Sequence, residues 1–149
     1  MPVRIGGRGW ESFLRRHQRD VNLFFEGDAV FGDHYAEVLS RASVGLGLVT
    51  RRFSELHTTR TFEIPACGTA LATERNAEVD RVFGTGDAVF FTDFADLSRR
   101  CVRLLQQPAE LREVTERGHR KVQQFGCHND ALVRQVLEPL GYRFDVGHI

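Results

Sequence analysis

The sequence predicts an α/β domain with a mainly parallel sheet and an all-helical C-terminal tail. Three observations carry that expectation. Short apolar runs of strand length alternate with stretches whose apolar residues recur at helical spacing. The run 44–49 is apolar throughout rather than at every second position, which suits an interior parallel strand covered on both faces. Beyond Phe91 only helical periodicity remains. At 149 residues the chain has the length of one domain with a real core, and no repeat or low-complexity linker divides it.

The elements follow in order. Residues 2–5 form an apolar run closed by Gly6 and Gly7, read as a strand and a tight turn. Gly6-Gly7-Arg8-Gly9 also fits a phosphate-binding loop. No GxGxxG pattern follows and no helix starts cleanly behind it, so a glycine-rich turn is the plainer reading. Residues 10–14 lead into the charged stretch 15–20, a solvated helix end or loop. Residues 21–25 are rich in β-formers and closed by Gly27-Asp28, a second strand. Tyr35, Val38, Leu39 and Ala42 mark one face of a helix with Asp33 as its N-cap. The strand 44–49 comes next, and 69–73 is a fourth. A short helix then turns Val79, Val82 and Phe83 inward and ends at Gly84-Thr85-Gly86. Residues 88–91 are a fifth strand. Asp93 caps a helix with Phe94, Leu97, Cys101, Leu104 and Leu105 on one stripe. Pro108 opens the next helix, which shows Leu111, Val114, Val122 and Phe125. A last helix carries Leu132, Val133, Val136, Leu137 and Leu140 inward and stops near Gly141.

Composition narrows the function. Formal net charge is zero, which removes the electrostatic case for a nucleic-acid or anionic-membrane partner. No apolar run approaches the length of a membrane span and no signal peptide is visible, so the cytoplasm is the expected compartment. The three cysteines, Cys67, Cys101 and Cys127, are widely spaced and fit neither a disulfide framework nor a CxxC zinc pattern. His119, Cys127 and His128 match no standard metal spacing, so no metal is expected. Lys121 is the only lysine, and arginine supplies the other cations.

The stretch 55–68 concentrates the chemistry. Two carboxylates, a histidine, three threonines and an arginine lie between two strand-like runs. In open parallel sheets, ligands bind beyond the carboxyl ends of strands, where loops feed helix N-termini. A helix starting near 59–61 would offer amide N–H groups and a positive dipole end to an anion, and Arg60 a guanidinium fork to phosphate. Glu63 falls in the first turn, where a carboxylate can accept two hydrogen bonds from a vicinal diol such as ribose. His57 and Thr58 are placed to touch what the phosphate carries, and Glu55 lies on the loop side. The plainer alternative is structural: Glu63 complements the dipole, and Arg60 with Glu63 forms an i, i+3 surface pair.

Thr58-Thr59-Arg60-Thr61-Phe62-Glu63-Ile64-Pro65-Ala66-Cys67-Gly68, followed by a strand and Thr73-Glu74-Arg75, resembles the signature of glycosyltransferases with the GT-B fold. Within them it is similar to the group-1-type, spore-maturation-protein branch. The likeness extends to Gly7-Arg8-Gly9-Trp10-Glu11, to Val30-Phe31-Gly32-Asp33-His34-Tyr35, to the run 44–48, and to the strand 88–91 with its helical tail. The resemblance implies a Rossmann-like three-layer domain, the C-terminal, nucleotide-sugar-binding half of such an enzyme. It implies that Glu63 holds the ribose hydroxyls, and that Glu55, with seven residues intervening, is the second of a glutamate pair. The donor set it implies is Glu63, Glu55, His57, Thr58, Thr59, Arg60 and Thr61, to which the glycine-rich turn adds Arg8 as a candidate phosphate contact. The nucleoside-diphosphate sugar is then a substrate rather than a cofactor. No Asp-x-Asp motif is present, so binding is expected to be metal-independent.

A GT-B enzyme has two Rossmann-like domains, and this chain has length for one. By the family's order its first strand matches the domain's second. The resemblance therefore implies that a preceding strand, the acceptor-binding N-terminal domain and any catalytic base belong elsewhere: the chain reads as truncated, a fragment, or half of a split enzyme. The catalytic residues stay unassigned. The competing expectation is a non-catalytic interaction or regulatory module that keeps the fold, with exposed apolar surface favouring a homodimer. A response-regulator-like domain is disfavoured, because no acidic cluster follows the first strand.

Overall fold

Two parallel sheets and seven α-helices alternate along the chain among the described residues. The structure is a computed structural model that describes residues 1–49, 56–126 and 129–143. The order is β1 (Val3–Ile5), α1 (Glu11–Arg16), β2 (Leu23–Phe25), α2 (Gly32–Ser40), β3 (Val44–Gly47), α3 (Arg60–Ala66), β4 (Ala70–Glu74), α4 (Ala77–Val82), β5 (Val89–Phe91), α5 (Phe94–Leu105), α6 (Pro108–Phe125) and α7 (Asn129–Leu137). A 3₁₀ turn at Glu138–Leu140 follows, closed by Gly141 in the left-handed region. Both sheets are wholly parallel: β1 pairs with β2, and β3-β4-β5 form the second in that order.

The three-stranded sheet carries the core. Its central strand β4 is buried from Ala70 to Thr73, and its side chains alternate between two apolar layers. Leu71 points into a cluster with Ile64, Val79, Val82, Phe83, Ala88 and Val122. Ala72 points the other way, to Phe91, Leu97 and Cys101. Helices α3, α4 and α6 cover the first face and α5 the second, the three-layer, Rossmann-like arrangement the sequence predicts. Each large apolar side chain so buried contributes about 1.5–3 kcal/mol.

Glycines in β3 leave room for side chains from α3 and β4 to pack against the strand. A Cβ on Gly45 would lie 2.8 Å from Ile64 Cγ2, and one on Gly47 would lie 2.8 Å from Leu71 Cδ1. Thr73 Oγ1 donates to the Gly47 carbonyl at 2.9 Å, and Thr69 Oγ1 donates to the Leu39 carbonyl at 2.5 Å. The second bond ties the end of α2 to the entrance of β4.

Several expectations need correction. β3 is not covered on both faces: it is the edge of its sheet, and Leu46 is 44% exposed. A helix does begin soon after the glycine-rich turn, at Glu11, while Arg15 and Arg16 form its exposed last turn, the solvated helix end expected there. Asp33 is not the cap of α2. Phe31 is the capping position, with no side-chain hydrogen bond, and Asp33 lies in the first turn, where its charge suits the dipole. Phe94 is 73% exposed, because the packed face of α5 starts at Leu97. In the last helix the period is right, but no described residue covers the stripe broadly. Leu132, Val133, Val136 and Leu140 are all exposed.

Candidate functional site

The helix α3 starts where the threonine cluster predicts, with Thr59 at the N-cap and Glu63 in the first turn. Its capping differs from the expected one. Thr59 is in the helical region and its side chain makes no cap hydrogen bond. The hydroxyl of Thr61, a fully buried residue, instead accepts from the Thr58 amide at 3.3 Å. The amides of Thr61, Phe62 and Glu63 are bonded to the carbonyls of Thr58 and Thr59 at 2.9–3.0 Å. Those of Thr59 and Arg60 make no hydrogen bond among the described residues. The anion-facing row of N–H groups is thus shorter than the sequence predicts. Thr58 Oγ1 is buried without a partner among the described residues, a group that ordinarily finds one.

Helix α6 holds α3 from behind. His119 Nδ1 lies 2.9 Å from the Pro65 carbonyl. A carbonyl only accepts, so Nδ1 carries the proton and Nε2 accepts from Gln123 Nε2, also at 2.9 Å. The Phe62 ring stacks on Phe125 at 5.5 Å, and His57 meets Phe62 edge-on at 5.6 Å. His57 is exposed on this aromatic base.

Glu63 is half-buried, and its Oε2 accepts a hydrogen bond from the Tyr35 hydroxyl at 2.9 Å. The bond spans 28 residues and joins α2 to α3. Burial pushes the Tyr35 phenol up to about 12, with the hydrogen bond and charge of Glu63 adding to it and the Arg60 charge opposing. Burial likewise raises the Cys67 thiol, again helped by Glu63. Tyr35, Arg60, Glu63 and Cys67 therefore share one electrostatic neighbourhood. Tyr35 was legible only as one residue on a helix face; the available signal is that a phenol on an inward face needs a hydrogen-bond partner.

The structure gathers His57, Thr58, Thr59, Arg60, Thr61 and Glu63 on α3 and the turn that leads into it. Arg8 is exposed between β1 and α1 and makes no hydrogen bond or ion pair among the described residues. Glu55 lies outside the described residues, as do Cys127 and His128. Among the described residues no group of three or more histidine, cysteine or carboxylate side chains could hold a metal ion, and no helix is long and apolar enough to cross a membrane.

The arrangement presents a carboxylate, a guanidinium, hydroxyls and an aromatic base beyond the carboxyl end of a parallel strand, the usual ligand position in such sheets. No curated protein matches the chain. The family model described as "Glycosyl transferase-like" matches residues 1–138. That match spans both sheets and six helices beyond the site itself, and the chain belongs to the glycosyl transferase-like family.

Proposed function

We propose that the chain is the nucleotide-sugar-binding domain of a GT-B glycosyltransferase, the C-terminal domain of its spore-maturation-like branch. The observation that carries the reading is Glu63: a half-exposed carboxylate held, among the described residues, on one oxygen only, at the start of a helix that follows a parallel strand. It takes the ribose hydroxyls. Arg60, with the amides of Thr59 and Arg60, meets the diphosphate, while Thr58 and Thr61 shape the wall. The same reading assigns His57, Arg8 and, from its sequence spacing alone, Glu55 to the donor.

The division into two sheets supports the domain assignment. Among the described strands, β1 and β2 pair only with each other and β3 is an edge of the β3-β4-β5 sheet, so each sheet keeps an edge that a further strand could pair with. Transfer then requires an acceptor-binding domain, in the same polypeptide or another, since both substrates must be positioned together. Titration with a panel of nucleotide sugars tests the reading. Saturable binding of at least one donor is expected, with Glu63→Ala weakening it by about tenfold or more. No binding would sink the donor assignment, and robust transfer by the purified chain alone would overturn the need for a second domain.

The exposed apolar residues of α7, Leu132, Val133 and Val136, favour a second reading, an interaction module that dimerises. A dimer in sedimentation, together with no nucleotide-sugar binding, is the outcome that selects it.

A further inference from the structure

We propose that Tyr35 is a positioning residue for Glu63, which it holds so that the carboxylate selects a ribose diol over a sugar that lacks both hydroxyls. This rests on the assignment of Glu63 to the donor ribose. A carboxylate only accepts, so the Tyr35 hydroxyl must be the donor in the 2.9 Å contact with Oε2. That leaves Oε1, which has no partner among the described residues, and a remaining lone pair on Oε2 for two vicinal hydroxyls. A glutamate side chain is long and loses considerable rotamer freedom when it binds. A bond from a different helix removes part of that loss before the nucleotide arrives. The phenol suits this role, because burial and Glu63 raise it to about 12 and it stays a donor throughout the neutral range.

A purely structural role makes a different prediction. If Tyr35 only braces α2 against α3, its loss lowers the melting temperature and affects every nucleotide alike. If it positions Glu63, the loss falls on ligands whose sugar hydroxyls use that carboxylate.

The experiment is calorimetric titration of the wild type, Tyr35→Phe and Glu63→Ala with UDP, GDP and ADP and with their 2′,3′-dideoxy counterparts. For a ribonucleotide that binds, Tyr35→Phe is expected to weaken affinity by about three- to tenfold. Affinity for the dideoxy counterpart should stay within about twofold of wild type. Equal losses on both ligands, or no loss on the ribonucleotide while Glu63→Ala still weakens it, overturn the role of Tyr35 and leave the donor reading standing. If Glu63→Ala leaves the preference for ribose intact, or no nucleotide binds, the donor reading itself fails and Tyr35 falls with it.

Discussion

Asp96 shows how much one side chain can organise. Its carboxylate accepts from Arg100 Nε at 2.7 Å, from the Thr92 amide at 3.3 Å and from Arg99 at 3.4 Å. The Arg100 hydrogen bond, more than any other contact, holds its pKa below the ordinary carboxylate value, against the opposing effect of desolvation. The sign follows from proton linkage. A depressed folded pKa means that the unfolded chain binds the proton more readily, so this contribution is complete above the unfolded value, about 4. It is lost as pH falls from there through the folded pKa. Denaturation of wild type and Asp96→Asn should therefore show a stability gap at pH 7 that narrows towards pH 3. A gap independent of pH would rule out the proposed linkage. Residues of this kind are only half legible in a sequence: Asp93 is recognisable as a cap, whereas the partners of Asp96 require the turn of helix to be in place. Tyr35 and Glu63, 28 residues apart, were both visible, and their hydrogen bond was not.

At the scale of elements, local chemistry was legible wherever the partner is also local. Asp93 caps α5 through the Asp96 amide at 2.7 Å, and Pro108 sits in the first turn of α6. Asn76 is a cap that the apolar pattern did not disclose: its Oδ1 accepts from the amides of Glu78 and Val79, both at 3.0 Å. Its Nδ2 also donates to the Leu56 carbonyl at 2.7 Å, which fastens the turn before His57 to α4. Replacing Asn76 by Ala should cost about 1 kcal/mol for the cap alone. Asn76→Asp keeps the acceptor and loses the donor, so it should recover most of that stability. Thermal melts of the two variants check this, and equal losses would show that the Leu56 bond matters more than the cap. Helix α7 is the opposite case. Its apolar period is visible in the sequence, but a period says only which face prefers cover, not whether cover exists.

For the whole molecule the decisive contacts join the layers. Gly118 of α6 is buried where the helix crosses Asp87, and a Cβ there would lie 2.7 Å from the Asp87 carbonyl oxygen and 3.6 Å from Pro65 Cβ. The Asp87 carboxylate ties the same crossing together, accepting from Arg117 Nε and the Gly84 amide at 2.9 Å each. Gly118→Ala gains about 1 kcal/mol of helix propensity. Overpacking against backbone costs about 1–3 kcal/mol, so the net effect should be destabilising, with a melting temperature lower by a few degrees. An unchanged or raised melting temperature would mean that α6 can shift away from Asp87 without loss.

The α/β class, the order and approximate bounds of strands and helices, and the start of α3 are all readable from the chain, because apolar period and turn residues act over neighbouring positions. The sequence also carried the family likeness through the stretch 58–68. The three-dimensional packing was needed to show that the described strands fall into two sheets, that β3 is an edge, and that the α7 stripe is exposed. It alone joined Tyr35 to Glu63. Those outcomes depend on which distant surfaces meet, and pairing energy between separate elements leaves no periodic trace in the chain that encodes them.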